Sequence, residues 1–167
     1  MEPDNVLINA LRAEAHRIEE DSIYSAKRHL NACDTWSLRH YVLGIPAALL
    51  AALVTTVLIK NYADLAQALA TVSALLAALL TFLKPNDRAS QHRVVGNQYL
   101  TLRNDARMFR EIDLTELDDD SKKSEKLRQL AERRANLNAS APTTGYGAFK
   151  KARKGLEEGQ ASFLTDK

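Results

Sequence analysis

Chemistry at neutral pH needs a nucleophile, an acid–base group or a set of metal ligands, and this chain supplies few of them. It holds one cysteine, Cys33, and four histidines, His16, His29, His40 and His92. A lone cysteine forms no internal disulfide and has no second thiol for a metal or redox pair, which suits a reducing cytosol for the polar parts of the chain. Cys33 lacks a local catalytic signature, and a small helix-packing role is the plainer reading. The sequence has no glycine-rich phosphate loop and no His or carboxylate pair at metal-ligand spacing. The expectation is a protein that is not an enzyme, with no metal and no cofactor.

His29 and His92 carry more interest. Each falls on an inward face of a predicted helix close to the edge of an apolar segment. Meeting across a helix pair, with Arg28, Tyr99 and Arg103, and with Arg93 nearby, they would make a cytoplasmic polar cluster or an anionic ligand site; satisfied structural histidines are the alternative. His16 and His40 show no partner pattern.

The elements that would position these groups follow from how charge is distributed. Of the 167 residues 26% are charged and the net charge is +2, which looks soluble and argues against direct nucleic-acid binding, since basic and acidic residues are interleaved. Two windows, however, exclude every charged residue: Tyr41 to Ile59 and Leu65 to Leu83. About 19 helical residues span roughly 28 Å, the thickness of a bilayer core. Only Lys60-Asn-Tyr-Ala-Asp64 separates them, so the pair must be antiparallel. A buried hairpin in a soluble bundle is the competitor, but the chain has too little other apolar sequence to wrap two such helices. The first forty residues are charged throughout and offer no signal-peptide core, so the first span is expected to act as its own insertion signal.

Short flanks set orientation. Lys27, Arg28 and Arg39 precede the first span, Lys84, Arg88 and Arg93 follow the second, and the turn offers Lys60 alone. Both termini are expected in the cytoplasm, the spans in the bacterial inner membrane. Pro46 and Pro85 mark expected kinks or resets between membrane and cytoplasmic helices.

Within the spans small residues recur every four positions, Gly44, Ala48, Ala52 and Thr56 in the first and Ala66, Ala70, Ala74 and Ala78 in the second. Such ridges let backbones approach in lipid, where packing drives association. One ridge serves the hairpin itself, and a second small face, Ala47, Ala51 and Thr55, points to packing between subunits. No ionisable group lies in either span, which argues against a proton relay or a voltage sensor. The candidate pore-lining residues are Thr55, Thr56, Gln67, Thr71 and Thr81; Gln67, Thr71 and Thr81 share a stripe with Ala74 and Ala78. Hydroxyls bonding back to their own helix are the alternative use of these threonines.

The remaining organisation reads as a cytoplasmic N-terminal helix over residues 1–40, span one at 41–59, span two at 65–83, cytoplasmic helices over 84–138 and a C-terminal tail from 139 to 167. Leu7, Leu11, Ile18, Ser22, Ser25, His29, Ala32 and Trp36 line one face of the first helix, while Val95, Tyr99, Leu102, Ala106 and Phe109 form a heptad-like seam. The two are expected to pair antiparallel. Asp118-Asp-Asp-Ser121 opens a further helix with Leu127, Leu130 and Leu137. After the break at Ala139 to Gly147 the tail is basic, then mixed, and expected to be mobile at its end.

Several segments together resemble a known family: Ser25-Ala-Lys-Arg-His-Leu30, His40-Tyr-Val-Leu-Gly-Ile-Pro46, Leu79-Leu-Thr-Phe-Leu83, Arg88-Ala-Ser-Gln-His92, Gly96-Asn-Gln-Tyr-Leu-Thr-Leu-Arg103 and Ala141-Pro142. In these the chain is similar to the SLATT family, two-transmembrane effector domains associated with SMODS nucleotidyltransferases and SLOG ligand-sensing domains in bacterial conflict systems. The likeness runs from about residue 10 to 155. It implies an all-α membrane protein that assembles as a homo-oligomer in the lipid bilayer and opens a pore in antiphage defence by abortive infection. No sensor domain is fused, so the trigger is expected to be a ligand on the helical cytoplasmic region or a separate partner, such as a nucleotide-signal synthetase, a sensor or a reverse transcriptase. The alternative is a non-conducting membrane anchor or sensor that docks a partner on its cytoplasmic helices.

Overall fold

The computed structural model describes residues 3–55 and 62–160, with side chains from residue 6 onward. These residues are helical almost throughout: α1 (Pro3–Val54), α2 (Ala63–Leu83), α3 (Pro85–Met108), a π-helical turn (Phe109–Asp113), α4 (Leu114–Glu116), α5 (Asp120–Ser140) and α6 (Tyr146–Glu157). They form two compact units, divided between Ala32 and Cys33 and again between Ser90 and Gln91.

The unit of residues 33–90 is the apolar hairpin. Its first arm is the C-terminal part of α1, which contains Pro46 and continues helically through it. A proline removes one hydrogen bond, the one to the carbonyl four residues back, and the surrounding alanines and leucines favour helix strongly enough to carry α1 on. At Pro85 the expected reset occurs. Lys84 takes the left-handed conformation, φ 43°, with its N–H bonded to the Leu80 carbonyl, a helix-ending geometry that costs a non-glycine residue roughly 1 kcal/mol. Pro85 then starts α3, where its missing N–H is no loss.

Burial along the two arms defines their seam. Leu43, Gly44, Ala47, Leu50 and Val54 are shielded on α1, and Ala66, Leu69, Ser73, Leu76, Leu80 and Leu83 on α2. Gly44 lies against Leu80, whose Cδ1 would be 3.7 Å from a Cβ placed on the glycine. The Ser73 hydroxyl donates to the Ala47 carbonyl at 2.8 Å, a buried bond between the arms. Most other apolar side chains face outward, among them Ile45, Leu49, Leu53, Leu65, Val72, Leu75 and Phe82, the last 85% exposed.

The unit of residues 1–32 and 91–167 has the ordinary core that the hairpin lacks. Leu11, Ala15 and Ile18 of α1 pack with Leu102 and Ala106 of α3, Phe109 in the π turn, Leu114 and Leu130 of α5. The α1–α3 pairing is antiparallel, as expected: Glu19 meets Arg110 while His29 meets His92. Gly96 sits where a Cβ would come within 3.0 Å of Leu30, so a glycine permits the close approach. The start of α5 follows the expected acidic run, with the Asp119 carboxylate accepting from the Ser121 N–H at 2.8 Å, an N-terminal cap. The tail contains a helix, α6, beyond the expected break. Ala152 and Gly155 are its buried positions, and Phe149 stands beside Tyr24 of α1, so a face with helical spacing docks the segment. The end of the tail, residues 161–167, lies outside the described residues.

Candidate functional site

Two places can be built from the residues upward, one in each unit. In the hairpin, the seam uses Gly44 and Ala66 from the small-residue ridges, and it also uses Ala47, which the sequence reading assigns to contacts between subunits. Ala48, Ala52, Ala70, Ala74 and Ala78 point away from the partner arm and are exposed. The outward face therefore holds most of the small residues. The polar candidates share it: Thr55, Gln67, Thr71 and Thr81 are exposed, while Thr56 lies outside the described residues. Each described threonine hydroxyl donates to a carbonyl of its own helix, Thr55 to Ala52 at 2.7 Å, Thr71 to Gln67 at 2.8 Å and Thr81 to Ala77 at 3.0 Å. The Gln67 side chain has no hydrogen-bond partner among the described residues.

In the other unit, α1 and α3 bring His29 and His92 together with Nδ1 atoms 3.0 Å apart, both rings buried. One ring must carry its proton on Nδ1 and the other must not. Tyr99 stacks on His29 at 5.8 Å between centroids and donates its hydroxyl to Asn138 Oδ1 of α5 at 2.6 Å. Burial, then the neighbouring His92 and the Arg28 guanidinium, lower the His29 pKa to about 4, so the ring is neutral at physiological pH. Burial also raises the Tyr99 pKa, against the opposing pull of Arg28 and of Ser25. Arg28 donates through Nε and Nη2 to the Thr144 hydroxyl at 3.1 and 2.6 Å. A polar cavity of about 300 Å³ opens beside this group, lined by Asp21, Ser25, Arg28, Tyr99, Arg134 and Asn138 among others.

Four members of the predicted cluster, Arg28, His29, His92 and Tyr99, thus stand together. Arg103 stands instead against Glu19 at 4.0 Å, beside Arg110, which holds the same carboxylate at 3.1 Å. No group of three metal-ligating side chains occurs among the described residues.

The outward apolar surface of the hairpin is the observation that decides where this chain works. A soluble monomer seldom exposes more than a few hundred Å² of contiguous apolar surface, whereas here the apolar stretches of α1 and α2 are long enough to cross a bilayer and only 6% buried. The family model described as SMODS and SLOG-associating 2TM effector domain family 4 matches residues 10–167. The chain belongs to that family. No curated protein and no solved structure matches it. Membership and geometry agree: this SLATT domain is an all-helical, two-transmembrane membrane protein, an effector of conflict systems associated with SMODS and SLOG partners.

Sequence reasoning does not single out three residues of this SLATT domain. Ser73 makes the bond between the arms, and serine at mid-span is its only signal. Asn138 and Thr144 complete the histidine group from α5 and from the loop before α6, and neither position carries a pattern that points to α3 or α1.

Proposed function

We propose that the chain is a pore-forming effector of antiphage defence in the bacterial inner membrane, with both termini in the cytoplasm, and that it acts by conduction without catalysing a reaction. Two helices cannot enclose a water path, so several copies must assemble. The observation that carries the reading is the outward face of the hairpin, where Ala48, Ala52, Ala70, Ala74 and Ala78 lie free of the seam beside Gln67, Thr71 and Thr81. Small residues allow further hairpins to approach, and an amide such as that of Gln67, without a partner among the described residues, is costly in lipid unless a neighbouring helix or water satisfies it. A nucleotide-signal synthetase, sensor or reverse transcriptase supplies the trigger.

A second reading, a non-conducting anchor or sensor, is favoured by the threonine hydroxyls, which already bond to their own helices and need no water. Membrane potential separates the two. Cells that express the parent chain with its partner and trigger should depolarise, and a variant carrying Gln67→Leu and Thr71→Leu, whose lining would favour a dewetted state, should not. Unchanged potential and dye exclusion with the parent chain would leave the anchor or sensor. Reporters fused at either terminus should read cytoplasmic; a periplasmic reading would refute the topology.

A further inference from the structure

We infer that Trp36, Arg39 and Arg88 form a binding site for the phosphate of an anionic phospholipid headgroup at the open end of the hairpin. All three belong to the hairpin unit. The Arg39 guanidinium carbon lies 4.4 Å from the centroid of the Trp36 ring, and that of Arg88 lies 4.8 Å from the same centroid. Two positive groups from α1 and from the first turn of α3 are thereby gathered on one indole. Neither is in an ion pair among the described residues, although Asp34 and Asp87 lie close in sequence to them. Six arginines elsewhere in the chain are treated differently: Arg17, Arg103, Arg110, Arg133, Arg134 and Arg153 each stand against a carboxylate.

Attraction to a ring face does not neutralise charge, so the two guanidinia keep their demand for an anion. Depth in the membrane identifies its source. Arg39 and Trp36 precede Tyr41, the first residue of the uncharged span, by two and five positions, which places their backbone about 3 and 8 Å outside the hydrocarbon edge for a helix near the bilayer normal. The headgroup layer extends roughly 5–8 Å on each side. Tryptophan prefers that layer, and an arginine fork matches phosphate oxygens in pairs. Basic pockets beside membrane helices take anionic lipids for the same reason. The inference rests on the two spans crossing a bilayer and not on conduction.

Trp36 is the only tryptophan in the chain, so the site carries its own reporter. Full-length protein reconstituted in phosphatidylcholine nanodiscs should show a saturable change in tryptophan emission as phosphatidylglycerol replaces part of the lipid, and should retain phosphatidylglycerol in native mass spectra. The double variant Arg39→Gln, Arg88→Gln should weaken that retention about thirty-fold, at roughly a factor of five per charge, with each single variant intermediate and Arg93→Gln unchanged. Inorganic phosphate at matched ionic strength should neither mimic nor displace the lipid. A parent protein that responds alike to both lipids overturns the inference without any variant. Displacement by inorganic phosphate would assign the site to a soluble anion and overturn it too. Carbonate extraction of each variant tests insertion separately, so loss of the membrane reading is distinguishable from loss of the site.

Discussion

Acidification should loosen the packing of α1 on α3 through the histidine pair. His29 is held neutral by burial, by His92 and by Arg28, with its pKa lowered from 6.5 to about 4. The folded state therefore refuses a proton that the unfolded chain accepts, and between those two values the unfolded state binds more protons. The stability that His29 contributes is complete above about pH 7, falls as pH drops through 6.5, and stops falling below about pH 4. At 1.36 kcal/mol per decade the loss is about 1 kcal/mol by pH 6 and about 2 kcal/mol by pH 5. The groups facing the imidazole are Arg28 on its own helix and His92 and Tyr99 on α3, with Asn138 of α5 holding the Tyr99 hydroxyl. None is a carboxylate that would compensate the incoming charge. A first proton still leaves one bare Nδ1 to accept, whereas a second sets two N–H groups head to head and breaks the 3.0 Å bond.

Hydrogen exchange in detergent, corrected for the intrinsic pH dependence of amide exchange, reads this locally. Amides around His29 and His92 should lose protection by about thirty-fold between pH 7.5 and 5, the equivalent of 2 kcal/mol. The double variant His29→Gln, His92→Gln should lose protection at pH 7.5 but respond little to acid. Flat protection in the parent chain over this range, or the same acid response in the double variant, would refute the reasoning.

Other expectations follow from single contacts. Ser73→Ala removes the bond to the Ala47 carbonyl and should destabilise the hairpin by about 1 kcal/mol, measured by steric trapping in bicelles. Ala48→Leu and Ala70→Leu, on the outward face, should lower the oligomer fraction in detergent and leave that hairpin stability unchanged, whereas Ala47→Leu should lower hairpin stability itself; indistinguishable size distributions for parent, Ala48→Leu and Ala70→Leu would place assembly elsewhere. Ser22 is fully buried, and its hydroxyl has no hydrogen-bond partner among the described residues, so Ser22→Ala should be neutral or stabilising by up to about 1 kcal/mol, seen as an equal or higher midpoint of thermal unfolding.

Contrast between neighbouring residues decides how much of this molecule its sequence reveals. Along α3 and into the π turn, Val95, Tyr99, Leu102, Ala106 and Phe109 stand among Asn97, Gln98, Arg103 and Asn104, so the seam is readable from polarity alone, and the structure buries the last four and half-buries Val95. The histidines are legible for a related reason, since His29 and His92 fall at helical spacing on the inward faces marked by Ile18 and Ala32 and by Tyr99 and Leu102. Arg103 fails this test. Its partner, Glu19, is one of many carboxylates interleaved along α1, and nothing in a charge pattern selects one over the others. The helix α6 is obscured by Gly145 and Gly147, although Phe149, Ala152 and Leu156 keep helical spacing beyond them.

In the hairpin the contrast disappears. The uncharged windows make two spans legible, yet nearly every position within them is alanine or leucine, and hydrophobicity then gives no face to prefer. What selects the seam is fit and one hydrogen bond: Gly44 against Leu80, and Ser73 reaching the Ala47 carbonyl. Rotating either arm by a single residue would carry Ser73 out of reach of that carbonyl and turn its hydroxyl toward lipid, while a small-residue ridge would still find alanine opposite alanine. The ridge of Ala48 and Ala52 and the seam through Ala47 therefore read alike in sequence but face different neighbours, which is why substitutions at the two adjacent alanines should separate packing within the hairpin from packing between copies.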